Sequence, residues 1–371
     1  MKATISLTQD CNLNCAYCYG GRKSNKHMTI ETAKQTVDFI IENTEKGDEI
    51  TFGLFGGEPL LRFDQIENIT EYIEKEASNA GFRNRISITT NGTLLTEKTL
   101  EFIKEHDISL CISIDGPEEV HNKYRVYKDG RGSFKKVYEN IKLTREILDF
   151  FQVNAVYGPD TIGYLPETTK LLISSKVPAI HLNLNITSDW SKTPSHVFSE
   201  TYKKIGDLYI TNYQDGNEVT INIIDNKVIL LLKGGFSEVD VCGMGETELG
   251  ISPAGNIYPC ERLIGEDNSP EFFIGNVYDG FDALKLEKVI ANRGNAKEDC
   301  QSCKYQPYCM SWCGCTNYHM SGETNQPSTT LCASEKAMIQ NAMYVLKSLN
   351  TNELFVDHFY TCLVNDLKSL H

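Results

Sequence analysis

Cys11, Cys15 and Cys18 stand in a C-x3-C-x2-C run just behind the first apolar segment of the chain. Three thiolates on one short loop can hold three irons of a [4Fe–4S] cluster and leave the fourth iron without a protein ligand. An open iron is what a cluster needs in order to bind and reduce a substrate or cofactor. The same spacing also suits a zinc site whose fourth ligand lies elsewhere, or an electron-transfer cluster completed by another part of the chain.

A second set of cysteines follows a strict spacing. Cys242 is followed by twelve residues, Gly255, four more residues and Cys260; then come Cys300-x2-Cys303-x5-Cys309-x3-Cys313, and Cys332 alone. A zinc ribbon uses four ligands in two pairs and leaves three of these cysteines without a role. Cys111 falls inside an apolar run and reads as core, since an unligated cysteine packs as a small hydrophobe. Cys362 stands near the C-terminus with no pattern around it, and Cys315 lies two residues past Cys313.

The elements that must position these thiols come from periodicity. Apolar runs at 3–7, 49–54, 86–90, 110–114, 151–157 and 179–185 predict strands, and amphipathic stretches such as 31–46 and 63–81 predict helices between them. Thr29 is a suitable N-cap for the first helix, and the second opens after Pro59-Leu60-Leu61-Arg62. Strand–helix alternation of this kind predicts parallel βα units with ligands at the carboxyl ends of the strands. At those ends stand Gly56-Gly57-Glu58-Pro59, Thr90-Asn91-Gly92-Thr93 and Ser113-Ile114-Asp115-Gly116. Two glycines permit close backbone approach to a ligand, and the proline fixes the turn. From about residue 236 cysteine density rises and Gly, Pro and Asn punctuate short segments, after which 334–349 reads as a final helix.

Composition limits the function classes. The chain has 371 residues, 40% hydrophobic and 23% charged, with net charge −14 and no basic stripe with interleaved aromatics. These values describe a globular protein and argue against nucleic acid as a partner. VILLL (228–232) is far too short to span a bilayer. The N-terminus shows no apolar region followed by a small-residue cleavage site, so a cytoplasmic protein is expected. In a reducing cytosol, thirteen cysteines read as metal ligands rather than disulfides.

With Tyr17 before the third cysteine and Gly56-Gly57-Glu58-Pro59 after the second strand, the sequence resembles the radical S-adenosylmethionine (SAM) superfamily. The second cysteine set resembles the SPASM subclass of that superfamily. The resemblance implies an α/β fold, with a partial (β/α)6 barrel over 1–235, a cysteine-rich SPASM domain over 236–333 and a C-terminal helical segment over 334–371. It implies SAM and three [4Fe–4S] clusters as cofactors. Cys11, Cys15 and Cys18 would hold the catalytic cluster, whose open iron binds SAM and cleaves it to a 5′-deoxyadenosyl radical. Tyr17, Gly56, Gly57, Glu58, Pro59, Thr90, Asn91, Ser113 and Asp115 would form the SAM site. Cys300, Cys303, Cys309 and Cys332 would saturate one auxiliary cluster, and Cys242, Cys260 and Cys313 would bind the other. Cys315 closes that last site, or its iron stays open to a substrate thiol. His121, Arg125 and Gly132-Ser133-Phe134 echo the family as well.

SPASM enzymes mostly modify ribosomally made peptides or proteins. The expected reaction is oxidation of a cysteine-containing precursor peptide to a thioether crosslink. Formylglycine formation by an anaerobic sulfatase maturase, or carbon–carbon crosslinking, is the alternative. Sulfatase-maturating relatives carry an aspartate base after the cysteine that corresponds to Cys260, and Glu261 stands there in this chain. The longer side chain displaces that carboxylate and weakens the sulfatase reading. A flavodoxin or ferredoxin is the expected electron donor. Only ten residues precede Cys11, so a leader peptide is expected to bind a separate leader-binding protein or the catalytic domain itself.

Overall fold

A computed structural model of the chain describes residues 1–292 and 298–369. Residues 293–297 of the cysteine-rich segment and the last two residues of the 334–371 segment lie outside the described residues. The six expected strands form: β1 (Lys2–Thr8), β2 (Glu49–Gly56), β3 (Arg83–Thr90), β4 (Ser109–Ser113), β5 (Gln152–Tyr157) and β6 (Ala179–Leu184). Five short strands follow: β7 (Thr220–Ile221), β8 (Glu248–Ile251), β9 (Asn256–Tyr258), β10 (Gly275–Asn276) and β11 (Gly280–Phe281). The chain divides into two compact units, each drawn from separated stretches of sequence.

The first unit comprises Met1–Ser113, His121–Phe151 and Cys242–Arg293. Its strands run in the order β11-β10-β9-β8-β1-β2-β3-β4. β1 pairs parallel with both β2 and β8, which places it in the sheet interior and buries every residue from Ala3 to Thr8. Such a strand reads as a near-continuous apolar and β-branched run because both faces are covered. Helix Ile30–Glu42 begins at Thr29, whose side chain accepts a hydrogen bond from the Thr32 backbone as an N-cap should. It buries Ala33, Val37 and Ile40, one stripe at helical spacing. Before helix Phe63–Ala80, Pro59–Arg62 form a 3-10 turn; the helix then buries Ile66, Ile69, Ile73 and Ala77. The cysteine-rich stretch is less irregular than its composition suggests, because β8 extends the parallel sheet and β9–β11 add antiparallel strands beyond it.

The second unit comprises Ile114–Val120, Gln152–Val241 and Gly294–His371. β5, β6 and β7 pair in parallel. VILLL falls within helix Asn222–Lys233. The helix expected at 334–349 begins at Thr329, five residues earlier, because Ser328 caps it by accepting from the Leu331 backbone. Cys332 therefore lies in a helical first turn. A further helix, Glu353–Ser369, follows. No helix among the described residues is long and apolar enough to cross a membrane.

Candidate active site

β1, β2 and β3 end side by side, and their carboxyl ends carry the cysteine triplet, the Gly-Gly-Glu-Pro segment and Thr90-Asn91. The cysteine loop is tied down by backbone hydrogen bonds: Asn14 N–H donates to Val126 O at 2.8 Å, and Gln9 N–H to Lys26 O at 2.9 Å. Cys11 is buried, which pushes its thiol up. Its sulfur accepts from Leu13 N at 3.4 Å and Asn91 Nδ2 at 3.8 Å. Lys23 folds back from beyond the triplet and its Nζ donates to Cys18 Sγ at 2.8 Å. Burial would lower this ammonium, but Cys18, then Cys11 and Cys15, hold it above its ordinary value.

The two glycines are required by the chain itself. A Cβ on Gly57 would lie 2.1 Å from Asp10 O, and one on Gly56, at φ +138°, would lie 2.3 Å from Thr8 O. The close approach they permit is therefore first to the backbone leading into Cys11, with Gly57 N–H donating to Thr8 O at 2.7 Å and Glu58 N–H to Asp10 O at 2.9 Å. Glu58 is wholly buried. Its Oε1 accepts from Thr90 Oγ1 at 2.7 Å and Leu60 N at 3.0 Å, and its Oε2 from Asn91 N at 2.7 Å. Burial pushes its carboxyl up to about 7 despite these three donors. Glu58 thus locks the end of β2 to the end of β3. Pro59, also buried, opens the turn behind it.

A small, half-open cleft lies beside this framework, lined by residues including Gln9, Tyr19, Lys23, Gly56, Gly57 and Glu261. Tyr19 stacks on Phe55, another lining residue, at 6.2 Å between ring centres. Gln9 Nε2 is buried without a hydrogen-bond partner, while its Oε1 accepts from Ser24 Oγ at 2.6 Å. An orphaned donor, half-buried glycine backbone and adjacent soft sulfur donors fit a polar, amino-acid-bearing cofactor next to an iron–sulfur cluster. Glu261 Oε2 lies 3.2 Å from Cys260 Sγ, whose thiol donates to it.

The other expected cofactor residues take different places. Thr90 and Asn91 are buried, and Asn91 Nδ2 donates to Asn12 Oδ1 at 2.8 Å. Tyr17 packs edge-on against Tyr124 at 5.6 Å and lies under the Arg125 guanidinium at 5.3 Å. Arg125 itself is buried, and Ser133 Oγ bonds both Arg125 O and His121 Nε2 at 2.8 Å. Ser113 is buried at the end of β4. Asp115 belongs to the second unit, where its Oδ1 accepts from Val156 N at 3.0 Å. Tyr17, Thr90, Asn91, Ser113 and Asp115 are not among the residues lining this cleft, whereas Gly56, Gly57 and Glu261 are. Gln9, Tyr19 and Lys23 were missed in the sequence because their spacing matches no motif; closeness to the triplet was the one available signal.

The later cysteines fall in both units. In the first, Cys242 Sγ donates to Glu248 Oε2 at 3.3 Å, and Glu248 Oε1 pairs with Lys2 Nζ at 2.8 Å. In the second, Cys332 is the main influence raising the Lys336 ammonium, and Cys303 and Cys309 contribute as well. Burial, then Glu335, pushes Cys309 up to about 12. Such a thiol becomes a ligand thiolate only against a strong cation. Cys315 Sγ lies 3.7 Å from Cys313 Sγ. Cys111 in β4 is pushed up to about 12 by burial, as a core thiol would be. Among the described residues no three His, Cys, Asp or Glu side chains converge to hold a single metal ion.

The family profile described as the Radical SAM superfamily matches residues 5–172. The chain is 38% identical over 302 residues to a serine-type anaerobic sulfatase-maturating enzyme of Bacteroides thetaiotaomicron, covering 72% of this chain and 70% of that one. It is 26% identical over 370 residues to a cysteine-type anaerobic sulfatase-maturating enzyme of Clostridium novyi, covering 92% and 96%. The solved structure of anSMEcpe with bound AdoMet and the Cp18Cys peptide has the same fold: TM-score 0.80 at 21% identity, over 95% of this chain and 99% of that one. The α/β fold expected from the sequence is borne out.

Proposed function

The chain belongs to the radical SAM superfamily, and on that premise we propose that it is a polypeptide maturase that oxidises a cysteine side chain, with Glu261 as the base. The observation that carries this reading is the position of Glu261, which faces the same cleft as Gly56, Gly57 and Lys23. SAM and a [4Fe–4S] cluster, when bound, supply the hydrogen-abstracting radical. The chain's own residues do the rest. Cys11, Cys15 and Cys18 hold the cluster, and the backbone of Gly56 and Gly57 with Gln9 Nε2 receives the cofactor's polar groups. Glu58, Thr90 and Asn91 hold the strand ends in register beside it. Glu261 takes the substrate thiol's proton as the adjacent carbon is oxidised.

Formylglycine formation in a sulfatase-type peptide is the favoured product, because relatives named as sulfatase maturases align over most of the chain. Thioether formation is the second reading. Three cysteines, Cys242, Cys260 and Cys313, are proposed for the first auxiliary cluster, and Cys315 lies against Cys313 rather than apart from it. An iron left open there would capture a substrate thiol. Cys300, Cys303, Cys309 and Cys332 are proposed to hold the second auxiliary cluster, with 236–333 acting as the SPASM domain and a flavodoxin or ferredoxin as electron donor.

The test is mass spectrometry of cysteine-containing peptides after anaerobic turnover with SAM. An aldehyde captured by a hydrazide reagent marks formylglycine; loss of two hydrogens together with the alkylatable thiol marks a thioether. Glu261→Gln should lower product roughly 10²–10⁴-fold while SAM cleavage persists. Full product yield from that variant would remove Glu261 from the role of base.

A further inference from the structure

We propose that Lys23 is a positioning residue that acts through Cys18, its ammonium raising the reduction potential of the cluster held by the cysteine triplet. The inference rests on the assignment of Cys11, Cys15 and Cys18 as cluster ligands. Lys23 Nζ donates to Cys18 Sγ at 2.8 Å, so its partner is the sulfur. Cys11 instead accepts from neutral donors, the Leu13 backbone at 3.4 Å and the Asn91 amide at 3.8 Å. The Cys18 sulfur thus receives a full positive charge along a hydrogen bond.

The chain is built to keep that charge in place. Gly21 N–H donates to Cys18 O at 3.2 Å, turning the chain back toward the loop it has just left. Gly21 adopts φ +68°, and a Cβ there would come within 2.7 Å of Glu266 Cγ, so glycine is needed on both counts. Glu266 Oε1 accepts from Arg22 N at 3.1 Å and fixes the residue next to Lys23.

The electrostatics give the direction. Reducing an iron–sulfur cluster by one electron adds negative charge that spreads onto its thiolates. A cation hydrogen-bonded to one of those sulfurs stabilises the reduced form more than the oxidised form, and net charge and sulfur hydrogen bonds are what set such potentials. Lys23 therefore lets a milder donor reduce this cluster.

The experiment is a redox titration of the reconstituted full-length protein, followed by electron paramagnetic resonance. The signal to follow is the one that changes when SAM is added, which separates the catalytic cluster from any others. Lys23→Met should move its midpoint to a more negative value, while Lys23→Arg, which keeps the charge, should stay close to the parent. Lys23→Gln keeps a donor without the charge and should fall between; if Lys23→Met loses its iron, Lys23→Gln carries the same test. Neutral variants titrating at the parent potential would overturn the proposal, as would equal shifts in Lys23→Met and Lys23→Arg. A parent protein with no SAM-responsive signal would instead overturn the assignment of the triplet as cluster ligands.

Discussion

Each of the two cysteine-bearing regions is organised around a buried glutamate, and the two glutamates are compensated in opposite ways. Glu58, 0% exposed, accepts only neutral donors from Leu60, Thr90 and Asn91. Glu335, 2% exposed, takes the Lys227 ammonium at 2.7 Å and the Met310 backbone at 2.6 Å on the same oxygen. Lys227 Nζ also donates to Tyr308 O at 2.9 Å, so the pair clamps the turn that carries Cys309 to the helix that carries Cys332. The difference follows from the backbone. Around Glu58 the parallel sheet already fixes the strand ends, and three neutral hydrogen bonds are enough to set their register. Around Glu335 short turns have no ladder to hold them, and a buried ion pair supplies the constraint.

Six substitutions sharpen or break this comparison. The largest effect separates the regions by chemistry: Cys15→Ala should abolish 5′-deoxyadenosine formation, whereas Cys303→Ala should keep SAM cleavage and lose peptide product. Chromatography of both products decides it, and cleavage surviving in Cys15→Ala would end the assignment of the triplet. Next, Lys227→Met strands a buried carboxylate and should cost about 3–5 kcal/mol in urea unfolding. A loss below about 1 kcal/mol, the range of exposed pairs, would mean that the clamp is not a constraint.

Glu58 gives a pH signature. Its folded pKa of about 7 lies above the ordinary value of 4.5, so the folded state binds the proton more tightly than the unfolded chain does. The resulting stability is fully present below the ordinary value and is lost as pH rises through the folded one, on the order of 3 kcal/mol in all. Unfolding at the two ends of that window should show this fall in the parent and little of it in Glu58→Gln; equal slopes would refute it. The smallest effects are the caps. Thr29→Ala and Ser328→Ala should each cost about 1 kcal/mol. Ser328→Ala should in addition weaken iron retention, because Cys332 lies in the first turn that Ser328 caps.

Local pattern located most of the elements. The six expected strands appear where apolar runs stood, and Thr29 caps the helix it was expected to cap. The helix expected at 334–349 starts earlier than its apolar stripe suggests, since it is capped at Ser328 and opens on the polar pair Thr329-Thr330. The short strands β8–β11 escaped notice because two to four residues carry no measurable alternation.

The sequence by itself determined the α/β class, the strand ends that bear polar motifs, and the two cysteine spacings, because strand and helix periods and ligand spacing are properties of neighbouring residues. Tertiary structure alone decided what those residues face. It turned Glu58 away from the cleft and into contact with Thr90 and Asn91, and it placed the Gly57 backbone on Asp10. It gave Asp115 to the Val156 backbone, brought Glu261 into the cleft with Gly56 and Gly57, and joined Lys227 to Glu335. Each of these contacts links residues tens to hundreds of positions apart. Which partner a buried polar group finds depends on how packed elements close over it, and no local period encodes that.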